Sequence, residues 1–237
     1  MTKSTLSHVS LFRLGVEGVV IVISILLAFG IDAWGEGRQE QQRAQDYEAS
    51  LLEDARMNLD RVEASRGQAE NELRAVMKLG EWLKGDGNGT DPDTVLAWLV
   101  TSFEIARFTP ATQGYDQVVS AGDLGLLSED VRSAMAAWNE AWFLNSNNQV
   151  QSQADRHQTY VPFLVEETSL RRAFSIAFSD SPGGPFGESM FPPAVETLLG
   201  ARRLDNLLTY RTVFIQDQLR DYEVMHSALQ SLVATLK

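Results

Sequence analysis

The segment Leu14 to Trp34, LGVEGVVIVISILLAFGIDAW, constrains this chain more than any other stretch. Its centre, Gly18 to Ile31, carries no charge and is dominated by Val, Ile, Leu and Phe. That centre alone falls short of the roughly 20 residues needed to cross a bilayer. With Glu17 and Asp32 near the two headgroup regions and Trp34 in the interfacial aromatic belt, the segment becomes long enough. Two other readings compete. Ala28-Phe29-Gly30 has the small-x-small form of a signal-peptidase site, but Glu17 interrupts the apolar stretch and the helical pattern runs on past Trp34. A buried helix of a soluble protein is the second, yet an aliphatic surface on every side suits lipid better. The expectation is an uncleaved transmembrane helix over 14–34 behind a short tail, 1–13.

One face of that helix differs from the rest. At helical spacing Arg13, Glu17, Ser24, Ala28, Asp32 and Gly35 form a stripe, while the other sides are aliphatic. Small and polar side chains let helices approach closely in lipid, and intramembrane carboxylates usually face protein or water. Glu17, Ser24, Ala28 and Asp32 are therefore the candidate packing face. The plainer alternative is an Arg13–Glu17 pair at the interface with both carboxylates reaching for the headgroups.

Charge narrows the partners. The chain carries 32 acidic and 20 basic side chains, a net charge of -12. Nucleic acid needs Lys and Arg against its phosphates, so no nucleic acid is expected, and adsorption to anionic lipid is disfavoured too. Contact with the bilayer should come from insertion. Lys3 and Arg13 precede the span, and Arg38 and Arg43 follow it. This balance leans towards a cytoplasmic N-terminus and a soluble domain outside the cytoplasm.

Beyond Trp34 only scattered glycines interrupt a helix before Gly85. Leu52, Ala55, Leu59, Val62, Arg66, Ala69, Leu73, Val76, Gly80 and Leu83 recur at alternate steps of three and four, a heptad seam with defects at Arg66 and Gly80. The spacing predicts that the membrane helix continues as an amphipathic stalk, 35–84. Gly85 to Asp93 is a break, and Asp91 with Pro92 signals a new helix over 92–107. Val95, Trp98, Leu99, Ser102 and Phe103 form its apolar side. Pro110 interrupts; a short helix over 112–121 follows, and Ser128 caps a long one. Val131, Met135, Trp138, Trp142 and Phe143 mark that helix's apolar side, and its polar run from Asn145 to Gln158 reads as solvated until Pro162 kinks or ends it. A connector covers 179–193. The last helix repeats the seam through Leu204, Leu208, Arg211, Ile215, Gln218, Tyr222, Met225, Leu229, Leu232 and Leu236.

Little in the chain points to chemistry. There is no cysteine, which excludes disulfides, thiolate catalysis and cysteine-ligated metals. His8, His157 and His226 are scattered, without a second ligand at metal spacing. Phosphate-binding, nucleophile-elbow and dinucleotide motifs are lacking. The acidic loop from Asp86 lacks the central Gly and terminal Glu of an EF-hand, and Glu166-Glu167 reads as solubilising. No catalytic residue, metal or cofactor is expected.

Three blocks carry a resemblance. Glu17, Ser24 to Ala28, Ile31, Trp34, Glu36 and Arg38 form the first. Tyr115, Val118, Ser120, Gly122, Leu124, Leu126 and Leu127, followed by Val131-Arg132, form the second. Leu204, Asn206, Tyr210 and Arg211 form the third. In this order they resemble a large family of uncharacterised bacterial single-pass membrane proteins, a domain of unknown function. Its members open with Gly-Glu, a Val/Ile-rich span and a Trp-Asn-Glu-x-Arg exit. Ser24 and Gly35 stand where that family tends to have Gly and Asn, and Gly18 replaces an aliphatic residue. The resemblance implies an uncleaved anchor in a bacterial inner membrane and a helical domain. It implies no activity.

The second block also has a physical reading. Tyr115, Val118 and Val119 are expected on the buried side of the short helix, Gly122 at its C-cap, and Leu124, Leu126 and Leu127 as a core plug. Tyr115, Gly122, Leu124 and Leu127 are thus a structural joint. The chain is expected to be all-α: a transmembrane helix continuing into a long amphipathic helix, packed with an antiparallel helical bundle over 85–237. The function expected is a non-enzymatic scaffold that associates with itself or with another membrane protein. The alternative is a membrane-bound sensor whose bundle binds a ligand, with Trp98, Trp138, Trp142 and Tyr160 around the pocket.

Overall fold

A computed structural model describes residues 8–85, 89–177, 190–191 and 195–237. Among them no strand occurs, and most of them lie in helices. Helix α1 (His8–Lys84) is unbroken over 77 residues, about 115 Å at 1.5 Å per residue. It contains no proline, and its glycines leave the backbone ladder intact. Its described part reaches into the expected tail, as far as His8. Every residue from 13 to 43 is exposed, and burial starts in earnest at Leu51.

Helix α7 (Arg202–Thr235) runs antiparallel to the buried half of α1, and α4 (Glu129–Asp155) runs antiparallel to α7. An ion pair between Glu72 and Arg211 sets the α1–α7 register. Steps of seven from it place Ser65 across from Gln218 and Leu79 across from Leu204. All ten positions of the expected α7 seam line this interface, nine of them buried and Leu236 half-buried.

The α1 seam is corrected by one residue. Ala55, Val62, Ala69 and Val76 are buried as expected, but their companions are Leu51, Asn58, Ser65, Glu72, Leu79 and Trp82. Leu52, Leu59, Arg66, Leu73, Gly80 and Leu83 are only half-buried, so the two apparent defects vanish. The seam is therefore apolar at both ends and polar in the middle. Full burial of a large apolar side chain contributes roughly 1.5–3 kcal/mol, so the two ends supply the stabilisation and the middle must be matched polar group by polar group.

The smaller elements complete the bundle. Asp91 caps α2 (Pro92–Phe103) by accepting from the Thr94 amide at 3.2 Å. Ser128 caps α4 by accepting from the Val131 amide at 3.2 Å. Helix α3 (Gln113–Ala121) lies on α1, and α6 (Leu170–Ala177) lies on α2. Pro162 does not end the α4 path. A π-helical turn at Arg156–Tyr160 carries it into α5 (Val161–Glu167), the widened turn making room for a ring with no amide to donate.

Other expectations shift. Helix α2 stops at Phe103 rather than Arg107, and its buried face holds Leu96 in place of Trp98. Trp98 is half-buried, with the Lys78 ammonium 5.6 Å from its ring centroid. Phe143 is exposed, whereas Asn145, Gln149 and Ser152 from the supposedly solvated run are buried. The connector 179–193 lies outside the described residues apart from Met190 and Phe191, both exposed. Residues 86–88 of the acidic loop also lie outside them.

Candidate functional site in the polar core

Between α2 and α3 the chain runs extended from Glu104 to Ala111, packed against the bundle with Ile105, Ala106 and Phe108 buried. Backbone groups taken out of water need partners, and here side chains supply them. Asn58 donates to the Ala111 carbonyl at 2.9 Å and accepts from the Ala111 amide at 2.7 Å. Ser65 donates to the Arg107 carbonyl at 3.2 Å, and Arg61 to that of Thr109 at 2.9 Å. From α7, Gln218 Nε2 and the Tyr222 hydroxyl both donate to the Ala106 carbonyl, at 2.6 and 3.2 Å. From α4, Gln149 accepts from the Phe108 amide at 3.4 Å. The polar middle of the seam is thus a sleeve that holds a non-helical strap.

Arg211 is the hub of this sleeve. Its guanidinium donates to Glu72 Oε2 at 2.9 Å, to the Glu104 carbonyl at 2.6 Å, to the Ser102 carbonyl at 3.3 Å and to Ser152 Oγ at 2.8 Å. Ser102 and Tyr160 share a hydrogen bond of 3.1 Å beside it. The pair is sealed, with side-chain exposure of 6% for Arg211 and 0% for Glu72. Glu72 Oε1 has no hydrogen-bond partner.

Burial pushes the Glu72 carboxyl up to about 8, against the pull of the Arg211 guanidinium. Burial likewise pushes the Tyr160 hydroxyl up to about 12, so it stays a neutral donor or acceptor. A carboxyl whose folded value exceeds its unfolded one binds its proton more tightly in the folded state. Its stabilising contribution is full below the unfolded value of 4.5 and lost as pH rises through about 8. Between these limits the wild type is expected to lose stability relative to Glu72→Gln, by no more than about 1.4 kcal/mol per pH unit for one proton. Urea unfolding of both proteins at a series of pH values checks this; parallel curves would refute it.

Of the joint residues, Gly122 sits at the C-cap of α3 with φ of +73°, and Leu127 is buried. Tyr115 is half-buried, but Leu124 and Val119 are exposed at 38% and 43%, so the plug is Leu127 without them. The signal missed in this block is Asp123. It accepts from Arg43 Nη1 at 3.0 Å and from the Tyr47 hydroxyl at 2.9 Å, tying the joint to α1 where burial begins. Gly114 was missed as well. Its amide donates to Asp54 Oδ2 at 2.7 Å, and a Cβ there would lie 2.7 Å from the Ser50 carbonyl carbon. Helix α3 rests directly on the backbone of α1.

The expected membrane face is on α1, and all of it is exposed. Arg13 and Glu17 pair at 3.6 Å, and Ser24 Oγ donates to the Val20 carbonyl at 2.8 Å in its own helix. Ala28 and Asp32 are exposed, and among the described residues Asp32 makes no ion pair. The expected four-aromatic pocket separates. Trp138 and Trp142 line a cavity of about 140 Å³ between α1, α3, α4 and α7, while Tyr160 belongs to the Arg211 network and Trp98 to neither. Among the described residues no group of three or more His, Asp or Glu is placed to hold a metal ion.

No family model, no curated protein and no solved structure matches the chain.

Proposed function

We propose that this protein is a membrane-anchored, non-enzymatic helical scaffold that associates with itself, or with another membrane protein, through its anchor. One observation carries the reading. The helix that is exposed and apolar from Leu14 to Trp34 is the same helix that forms the bundle's central seam. Thirteen large apolar side chains along it are exposed, from Leu14 at 68% to Trp34 at 66%. At that length and hydropathy the helix is able to cross a membrane. Nothing else among the described residues covers this surface, which suits lipid or another protein.

The face at Glu17, Ser24, Ala28 and Asp32 supports association. Ser24 satisfies its own donor within the helix, which leaves a small, shallow surface, and Asp32 lacks a counter-charge among the described residues. A carboxylate near the membrane boundary without a partner favours protein or water over lipid. The setting we assign is a bacterial inner membrane, as the family resemblance implies, with the N-terminus cytoplasmic and the bundle outside.

Because the native chain lacks cysteine, single-cysteine reporters are clean. Ser24→Cys is expected to give an oxidative dimer in native membranes, whereas Val22→Cys on the opposite face is not. Equal crosslinking at both positions, or none, would overturn self-association through this face. Ser231→Cys, exposed on α7, is expected to react with an impermeant maleimide in intact spheroplasts. Reaction only after lysis would reverse the orientation.

A further inference from the structure

The cavity beside the polar sleeve is a built site of a different kind. Its floor is aliphatic, with Leu51, Leu229 and Leu232, and its wall is aromatic, with Trp138, Trp142 and Tyr115. Asp54, Asp116, Asn58 and Asn139 supply its polar atoms, and no Lys or Arg lines it. Asp54, Pro110, Ala111, Thr112 and Asp116 also line an open surface groove, which gives the cavity a route to solvent; Arg61 lines that groove too, its guanidinium donating to the Thr109 carbonyl.

Asp54 is the anomaly. It is only 6% exposed and accepts from the Gly114 amide, yet among the described residues it has no ion-pair partner. Asp116 at the rim accepts from the Thr112 hydroxyl at 2.8 Å and makes no ion pair among the described residues. Trp138 and Trp142 both pack edge-on against the Phe108 ring. A buried carboxylate without a counter-charge is unfavourable, and an aromatic wall attracts cations to its faces. Size sets the rest. A dry cavity of about 150 Å³ holds one benzene, so this one suits about six non-hydrogen atoms.

We propose that this cavity binds a small organic ammonium ion. The cation pairs with Asp54 and meets the indoles of Trp138 and Trp142, while its alkyl part rests on Leu229 and Leu232. An anion of the same size is repelled by the two carboxylates. A neutral molecule fills the volume but leaves Asp54 unmatched. The excess of acidic groups, a net charge of -12, further raises the local concentration of cations. This site stands on the bundle alone and holds whether or not the anchor self-associates.

The test uses the whole 237-residue chain in detergent, titrated with tert-butylammonium and tetramethylammonium, with tert-butanol as the neutral isostere. Tryptophan fluorescence and the thermal midpoint are read together. Saturable binding of either cation, at least tenfold tighter than tert-butanol, is expected. Asp54→Asn keeps an acceptor for the Gly114 amide and is expected to remove that tenfold preference while leaving tert-butanol unchanged. If Asp54→Asn does not fold, Asp116→Asn is expected to weaken the cations about threefold and Trp142→Leu to weaken them more. Equal binding of cation and alcohol, no saturable binding of either cation, or an unchanged preference in the folded variants would overturn the proposal.

Discussion

Arg211→Met is expected to destabilise the bundle by about 3–5 kcal/mol, the range for removing one member of a buried ion pair, above about pH 8, where the wild-type Glu72 carboxyl is ionised. The side chain's volume is largely kept, so the loss is electrostatic. Glu72, with no solvent exposure, is left without its cation. The carbonyls of Ser102 and Glu104 lose their donor at the same time. Each buried polar group left unmatched adds about 1–3 kcal/mol. Because loss of the guanidinium raises the Glu72 carboxyl further, the deficit is expected to shrink as pH falls towards about 8 and to level off below it, where the carboxyl is protonated in both proteins. The double variant Glu72→Leu/Arg211→Met is expected to be more stable than Arg211→Met above about pH 8, yet below wild type because the carbonyls of Ser102 and Glu104 stay unpaired. Urea unfolding of the detergent-solubilised chain checks the series. A single variant as stable as wild type would show that the hub is dispensable.

Gly114→Ala is expected to cost about 2–3 kcal/mol, the usual range for an overpacked contact. One methyl group is enough. Its Cβ would lie 2.7 Å from the Ser50 carbonyl carbon and 2.8 Å from the Leu51 nitrogen, both backbone atoms of a long helix that has no room to yield. Relief requires α3 to lift, which also stretches the 2.7 Å bond from Gly114 to Asp54. Gly67→Ala is the control. A Cβ at Gly67 meets nothing within 4 Å, so this exposed helix interior gains roughly 0.5–1 kcal/mol. Amide exchange distinguishes the two, with faster exchange expected across Gln113–Ala121 for Gly114→Ala alone. Unchanged exchange there would mean that α3 accommodates the methyl group.

How far the sequence was legible follows from what periodicity registers. It finds apolar spacing, so the α7 seam, where only Arg211 and Gln218 interrupt the apolar and aromatic positions, was readable along its whole length. On α1 the true seam carries Asn58, Ser65 and Glu72 at seven-residue steps, and a search for apolar residues slid to their neighbours Leu59, Arg66 and Leu73. The signal was present in another form. Polar residues seven apart on α1 face Arg211 and Gln218, seven apart on α7. The caps at Asp91 and Ser128 were legible because a cap is a local hydrogen bond. The strap was not. Glu104 to Arg107 carries a helical pattern, and only the distant side chains that satisfy its backbone draw it out of α2. The cavity was half legible for the same reason, since Trp138 and Trp142 share a helix face while Asp54 arrives from elsewhere.

The unbroken α1 makes the bundle's azimuth a property of its anchor. Each residue of a helix turns the next by about 100° and lifts it by 1.5 Å. With no hinge between Trp34 and Leu51, rotating the membrane segment about its axis rotates the seam with it, like a key on its shaft. A neighbour that grips the Ser24 face would therefore also select which flank of the bundle, the α3 side or the α4 side, is turned towards it.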